Sequence, residues 1–77
     1  MSNEVRFPVL SSDQAVEGLV ATWFVADGES VKAGQLIAEV QVDKVSAEVQ
    51  APAAGVIRII AGAQATVKQE AVIAVIE

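Results

Sequence analysis

Cysteine, histidine and tyrosine are absent from this 77-residue chain, and methionine and tryptophan occur once each. Each absence removes a class of chemistry. Without cysteine there is no disulfide framework, no thiolate metal site and no thiol nucleophile. Without histidine there is no Ser-His or Cys-His pair, no imidazole base and no phosphohistidine relay. Positive charge is scarce as well: five Lys or Arg stand against ten Asp or Glu, a formal charge of −5. Five scattered cations make a poor footprint for nucleic acid or for an anionic membrane surface. No apolar run approaches the ~20 residues that cross a bilayer as a helix. Met1-Ser2-Asn3-Glu4 is neither a basic nor an apolar leader, so the expectation is a cytoplasmic protein without signal or transit peptide. The length fits a single domain over residues 1–77, near the small end of what folds without a staple.

What the chain does have is small and branched apolar residues. Apolar residues make up 53% of the sequence, yet only Phe7, Trp23 and Phe24 are aromatic. Val, Ile, Leu and Ala must therefore fill the core, a composition that favours strands over helices. The segment 36–42 alternates with Leu36, Ala38, Val40 and Val42 on one face, and after Asp43-Lys44 the alternation resumes with Val45, Ala47 and Val49 inward. Two period-2 runs joined by two residues predict a β-hairpin over 36–50 with Asp43-Lys44 at its tip. Further strands are expected over Val5–Pro8, Gly18–Val25, Val56–Ile60 and Val72–Ile76, with shorter extended pieces around Val31 and Val67. Turn chemistry separates them at Ser11-Ser12-Asp13, Asp27-Gly28-Glu29, Ala33-Gly34 and Ala51-Pro52-Ala53-Ala54-Gly55. Many short strands without an amphipathic helix predict an all-β sandwich or barrel.

The chain also repeats itself. A shift of 36 residues lays Val20 on Val56, Val31 on Val67, Lys32 on Lys68, Ile37 on Ile73 and Ala38 on Ala74. Trp23 with Ile59, Ser30 with Thr66, Leu36 with Val72 and Val40 with Ile76 fill in the same diagonal. Two similar β-units related by an approximate two-fold axis are expected. The copies part where the first has Gly28 and Gly34 and the second has Gln64 and Glu70. Either those two side chains sit in left-handed backbone at a cost of ~1 kcal/mol each, or the second copy's loops are reshaped.

Lys44 is the residue to weigh for chemistry. A two-residue hairpin turn usually carries Asn-Gly, Asp-Gly or Gly-X, because its central residues favour positive φ. Asp43-Lys44 has no glycine, so a type I turn is expected, a poorer match to strand twist. Two readings stand side by side: a polar, soluble turn, or a lysine kept because another molecule needs it. As a nucleophile in its own right it is unsuited, since no apolar pocket can form around a solvent-facing tip flanked by Asp43. As a substrate for an enzyme that brings its own base, it is well placed. Trp23 reads as a core or inter-sheet residue, and no phosphate-binding glycine loop or buried carboxylate pair is present.

Four segments together resemble the biotinyl/lipoyl carrier domain family. They are Gly18-Leu19-Val20-Ala21-Thr22-Trp23, Asp27 to Ile37, Val42-Asp43-Lys44-Val45, and Ala51-Pro52-Ala53-Ala54-Gly55-Val56-Ile57. The likeness runs from about Phe7 to Ile76. It implies a flattened β-barrel or sandwich of two four-stranded sheets with quasi-two-fold symmetry. It also implies that Lys44 is amide-linked to lipoate or biotin, with Asp43 and Val45 read by the attaching enzyme. Biotin carriers of the family flank the lysine with methionines, whereas Asp-Lys followed by a small or aliphatic residue is the lipoyl pattern. Val45 stands where alanine is commoner. The opening Pro8 to Asp13 with Glu17-Gly18 is similar to lipoyl domains of 2-oxoacid dehydrogenase acyltransferases, although Leu10-Ser11-Ser12 replaces the usual Leu-Gly-Glu. In the family that loop lies near the swinging arm and helps the decarboxylase recognise its carrier.

The resemblance thus implies a non-catalytic lipoate carrier. Its partners would be a lipoate-attaching enzyme, a thiamine-diphosphate decarboxylase, an acyltransferase core and a flavin-containing dihydrolipoyl dehydrogenase. Neither nucleic acid nor membrane is among them. A biotin carrier of a carboxylase, a longer glycine-cleavage carrier, and an unmodified lipoyl-like interaction module are the rival readings.

Overall fold

The computed structural model describes residues 3–13 and 16–77. Within them are eight strands: β1 (Asn3–Arg6), β2 (Glu17–Trp23), β3 (Ser30–Val31), β4 (Leu36–Val42), β5 (Val45–Gln50), β6 (Gly55–Ile59), β7 (Thr66–Lys68) and β8 (Val72–Ile76). They form two four-stranded sheets, ordered β1-β8-β6-β3 and β5-β4-β2-β7. All pairings are antiparallel. The result is a flattened sandwich rather than a closed barrel, as the all-β reading anticipates. No helix among the described residues is long and apolar enough to cross a membrane.

The internal repeat explains the topology. Moving one repeat along the chain carries β2 to β6, β3 to β7 and β4 to β8, and it turns one sheet order into the other. Each sheet takes its short edge strand, β3 or β7, from the opposite copy. Neither copy can therefore complete a sheet alone, and the two fold as one unit.

The repeat is not a uniform shift. Ile37 with Ile73, Ala38 with Ala74, and Trp23 with Ile59 keep the 36-residue spacing. Val20, however, corresponds to Ile57 rather than to Val56: Val20 pairs with Val40 as Ile57 pairs with Ile76. The irregularity between Val20 and Thr22 inserts Ala21 as a bulge residue, which moves the first part of β2 by one position. This corrects the Val20–Val56 match. It also makes Gly18 the counterpart of Gly55, since Gly18 pairs with Val67 and Gly55 with Val31.

Burial follows the same symmetry. Val20, Ile37, Ala38, Val40, Ile57, Ile73, Ala74 and Ile76 are all fully excluded from solvent, and no polar or charged residue among the described residues is buried. Phe7 completes the core at 1% exposure. Trp23 is half-buried against this core, and its indole Nε1 donates to the Ala61 carbonyl at 2.8 Å, tying the end of β2 to the segment after β6. That is the inter-sheet role expected of it.

The left-handed alternative holds for the second copy's loops. Gly28 and Gly34 have φ of 87° and 83°, and their counterparts Gln64 and Glu70 have 70° and 69°. The loops kept their shape and lost their glycines. The two replacements differ in compensation. Gln64 Nε2 donates to the Ala21 carbonyl at 2.8 Å, whereas only the backbone of Glu70 is engaged, its carbonyl accepting from Arg6 and its N–H donating to Phe7. Relief of left-handed strain is worth ~1–2 kcal/mol. Added freedom in the unfolded chain offsets about 0.4–1 kcal/mol of it. Glu70→Gly is therefore expected to raise stability by about 0.5–1 kcal/mol in denaturant titrations. Gln64→Gly, which also loses its hydrogen bond, is expected to gain nothing. Equal gains at both positions would refute this account of the compensation.

Candidate functional site

The site begins as a backbone problem at the end of β4. Strands β4 and β5 pair from Leu36↔Gln50 up to Val42↔Val45, leaving Asp43 and Lys44 as the two central residues of the turn. Asp43 has φ 53°. Positive φ at the first central residue excludes the type I turn expected from the sequence. The cause is strand twist: long, regular strands on both sides demand a primed turn. Without glycine, a short polar residue that tolerates left-handed backbone is the next best occupant, and Asp43 is one. The Gln41 amide donates to the Asp43 carbonyl at 3.3 Å and supports the turn from the β4 side.

This geometry leaves Asp43 and Lys44 exposed. Neither the Lys44 ammonium nor the Asp43 carboxylate has a hydrogen-bond or ion-pair partner among the described residues. Val45 is 50% exposed, contrary to the inward position that alternation implies. Its cross-strand partner Val42 is at 2%. The difference arises because β5 is an edge strand whose tip end leaves the core; burial returns along it, through half-buried Ala47 to buried Val49. Lys44 and its two neighbours therefore form one accessible protrusion. Lys32 and Lys68 are exposed too, but one follows β3 and the other lies in β7.

Register identifies what flanks the protrusion. Leu19 pairs with Gln41, so Glu17, two residues earlier in β2, lies level with Asp43. Glu17 pairs in turn with Lys68 of β7. The β1–β2 connection from Phe7 onward and the turn between β7 and β8 therefore share the end of the molecule that bears Lys44. The chain ends lie at the other, because Asn3 pairs with Ile76 and Val56 exchanges two backbone bonds with Glu77.

Chemically this end is a handle and not a pocket. The described residues enclose no cavity and hold no cluster of three or more carboxylates that could bind a metal ion. A group linked to Lys44 would be fully solvent-facing and free to move, which fits a long flexible prosthetic group better than a clamped one. Sequence reasoning locates this handle, but it misses Gln69, whose side chain organises the adjacent β1–β2 connection. No spacing rule links a single amide to backbone groups some sixty residues away.

Comparison with known proteins agrees with the geometry. Residues 3–76 match the biotin/lipoyl family, described as "Biotin-requiring enzyme". The chain is 44% identical over 57 residues to the dihydrolipoyllysine-residue acetyltransferase component of the pyruvate dehydrogenase complex of Zymomonas mobilis. That alignment spans 74% of this chain and 13% of that protein. It is 36% identical over 78 residues to the dihydrolipoyllysine-residue succinyltransferase component of the 2-oxoglutarate dehydrogenase complex of Bartonella vinsonii, covering all of this chain and 19% of the relative. The chain thus spans less than a fifth of the length of these two relatives. Its fold superposes on the solution structure of the lipoyl domain of the 2-oxoglutarate dehydrogenase complex from Azotobacter vinelandii with a TM-score of 0.75, at 32% identity and 95% coverage of both chains. With its eight strands, its internal two-fold and its family match over residues 3–76, the chain belongs to the biotinyl/lipoyl domain family.

Proposed function

We propose that this domain is a lipoyl carrier, with lipoate joined to Lys44 through an amide bond. The observation that carries the reading is a lysine without a partner among the described residues, at an exposed hairpin turn of a lipoyl-type fold. Attachment needs the neutral amine to attack an activated lipoate carboxyl. The N–C bond forms, the activating group leaves with its electron pair, and the surplus proton passes to a base of the attaching enzyme. None of the described residues bonds to the Lys44 amine as such a base would, so the chain acts as substrate. Asp43 and Val45 flank the amine and are the contacts the attaching enzyme reads: a free carboxylate on one side and an apolar surface on the other.

Once bound, lipoate supplies a dithiolane that accepts acyl groups and electrons. The protein's part is to hold it at the end of a rigid body and away from any pocket. From there it can visit a thiamine-diphosphate decarboxylase, an acyltransferase core and dihydrolipoyl dehydrogenase in turn, each visit made at high local concentration. The domain itself is non-catalytic on this reading, whatever longer acyltransferase it accompanies. A biotin carrier is disfavoured because the relatives above are dihydrolipoyllysine-residue acyltransferases and no methionine flanks Lys44.

The test is direct. The chain is incubated separately with lipoate and biotin ligases, their cofactors and ATP, then read by intact mass and peptide mapping. One lipoyl group on Lys44, none on Lys32 or Lys68, and little biotin are expected. Comparable lipoylation of Lys32 or Lys68 would overturn the site, and preferential biotinylation would overturn the cofactor.

A further inference from the structure

The side-chain amide of Gln69 spends its whole hydrogen-bonding capacity on one neighbouring segment. Its Oε1 accepts from the N–H groups of Leu10 at 2.7 Å and Ser11 at 2.9 Å. Its Nε2 donates to the carbonyls of Asp13 at 3.1 Å and Val16 at 3.3 Å. Two acceptor sites and two donors are all that a glutamine has. All four reach across from the β7–β8 turn to the β1–β2 connection. Backbone bonds to the β7–β8 turn anchor that connection at its start, where Phe7 donates to Ala71 and accepts from Glu70. Beyond Phe7, the four bonds of Gln69 tie it to the β7–β8 turn, while Leu10 and Val16 pack against the core.

The connection matters because of where it lies. It shares the Lys44 end, as the pairings of Leu19 with Gln41 and Glu17 with Lys68 require. An enzyme that acylates Lys44 Nζ must bring its reacting centre to within a side chain's length of the turn. Even a modest protein interface covers about 600–800 Å² on each partner. Set against a total accessible surface of 4491 Å², that is roughly an eighth to a sixth of the domain. A two-residue tip is far smaller, so the footprint must spill onto whatever flanks it.

We propose that Gln69 is a positioning residue for modification at Lys44. Its amide fixes Leu10, Ser11, Asp13 and Val16 beside the tip, and the attaching enzyme docks on tip and connection together. This rests on the reading of Lys44 as the attachment residue. Gln69 touches neither the amine nor the cofactor; it acts by presenting a preformed surface, so its loss should weaken docking and spare the chemical step.

The experiment uses the unmodified full chain, a lipoate ligase, lipoate and ATP, comparing wild type with Gln69→Ala and Gln69→Glu. For Gln69→Ala, the Leu10 and Ser11 amides should exchange with solvent at least about tenfold faster. KM for the domain should rise about five- to tenfold, with kcat within about twofold. Gln69→Glu keeps the acceptor for Leu10 and Ser11 but loses the donors to Asp13 and Val16, and should fall between the two. If Gln69→Ala fails to fold, the same comparison is decided on Gln69→Glu. Faster exchange with an unchanged KM would make Gln69 a purely structural tie and overturn the proposal, as would a loss confined to kcat. Absence of lipoylation on wild-type Lys44 would instead overturn the attachment site itself.

Discussion

Lys44→Arg is expected to abolish lipoate attachment completely while leaving the fold unchanged. The two halves of that result have separate physical origins. Folding is indifferent because the Lys44 side chain is exposed and has no partner among the described residues. Positive φ in the turn falls on Asp43 and not on Lys44, so arginine meets no backbone penalty there. Surface changes of this kind stay within ~0.5 kcal/mol. For a domain of this size that corresponds to a melting shift of at most about 2–4 °C. Attachment is lost because guanidinium stays protonated and delocalised and cannot give a neutral amine to an activated carboxyl. Intact mass after exposure to ligase, lipoate and ATP should show no added lipoyl group, and the melting curve should overlay that of wild type. Lys32 and Lys68 are internal controls, since both survive in the variant. A lipoyl group on either would mean that exposure alone selects the lysine. A large drop in melting temperature would mean that Lys44 has a structural role the fold does not reveal.

The success and failure of sequence reading here divide along physical lines. The hairpin's strand bounds were legible, with β4 at Leu36–Val42 and β5 at Val45–Gln50, because alternation from Ala38 to Val49 about a two-residue break leaves one register there. At its far end a shift between Leu36 and Ala38 buries Ile37 as well as Ala38, which alternation does not foresee. The exposed lysine followed from that hairpin. The two-fold was legible because Val31, Ile37 and Ala38 recur in order along the chain. What escaped depends on the third dimension. Val45 obeys the alternation yet stands half in solvent, because alternation defines a face and not whether anything covers it. The one-residue slip at Ala21 was invisible because valine matches valine on either diagonal; only the ladder shows that Val20 answers to Ile57. At Asp43 the absence of glycine argues for a type I turn, but strand twist outweighs it and φ is positive. Gln64 and Glu70 stand out in the sequence as the odd positions, but only their φ angles distinguish strain from a reshaped loop.

Gly18→Ala is expected to be among the most damaging single-methyl changes in the molecule, although sequence alone gives this glycine no special standing. Its backbone is not in the left-handed region, so alanine would ordinarily be tolerated and would gain ~0.4–1 kcal/mol by restricting the unfolded chain. The obstacle is space. A Cβ on Gly18 would coincide with the ring edge of Phe7, overlapping its Cζ and Cε1 atoms. Phe7 cannot swing clear, since it is 1% exposed and one of the largest fully buried side chains. Its counterpart Gly55 faces the same restriction from Ile76 and the Glu77 backbone, so both copies need a bare backbone where their long strand begins. Overpacking a filled core costs about 1–3 kcal/mol and sometimes more. A net loss of about 2–3 kcal/mol, or roughly 10–20 °C in melting temperature, is therefore expected. Gly62→Ala, with nothing near its Cβ and no positive φ, should change stability by less than ~0.5 kcal/mol. A double-mutant cycle with Phe7 identifies the cause. Phe7→Ala alone should cost about 3–5 kcal/mol, but in the Gly18→Ala background the ring that clashes is already gone. The two changes should then be less than additive by about 1–3 kcal/mol. Strict additivity, or a Gly18→Ala chain as stable as wild type, would show that this contact is not what keeps position 18 a glycine.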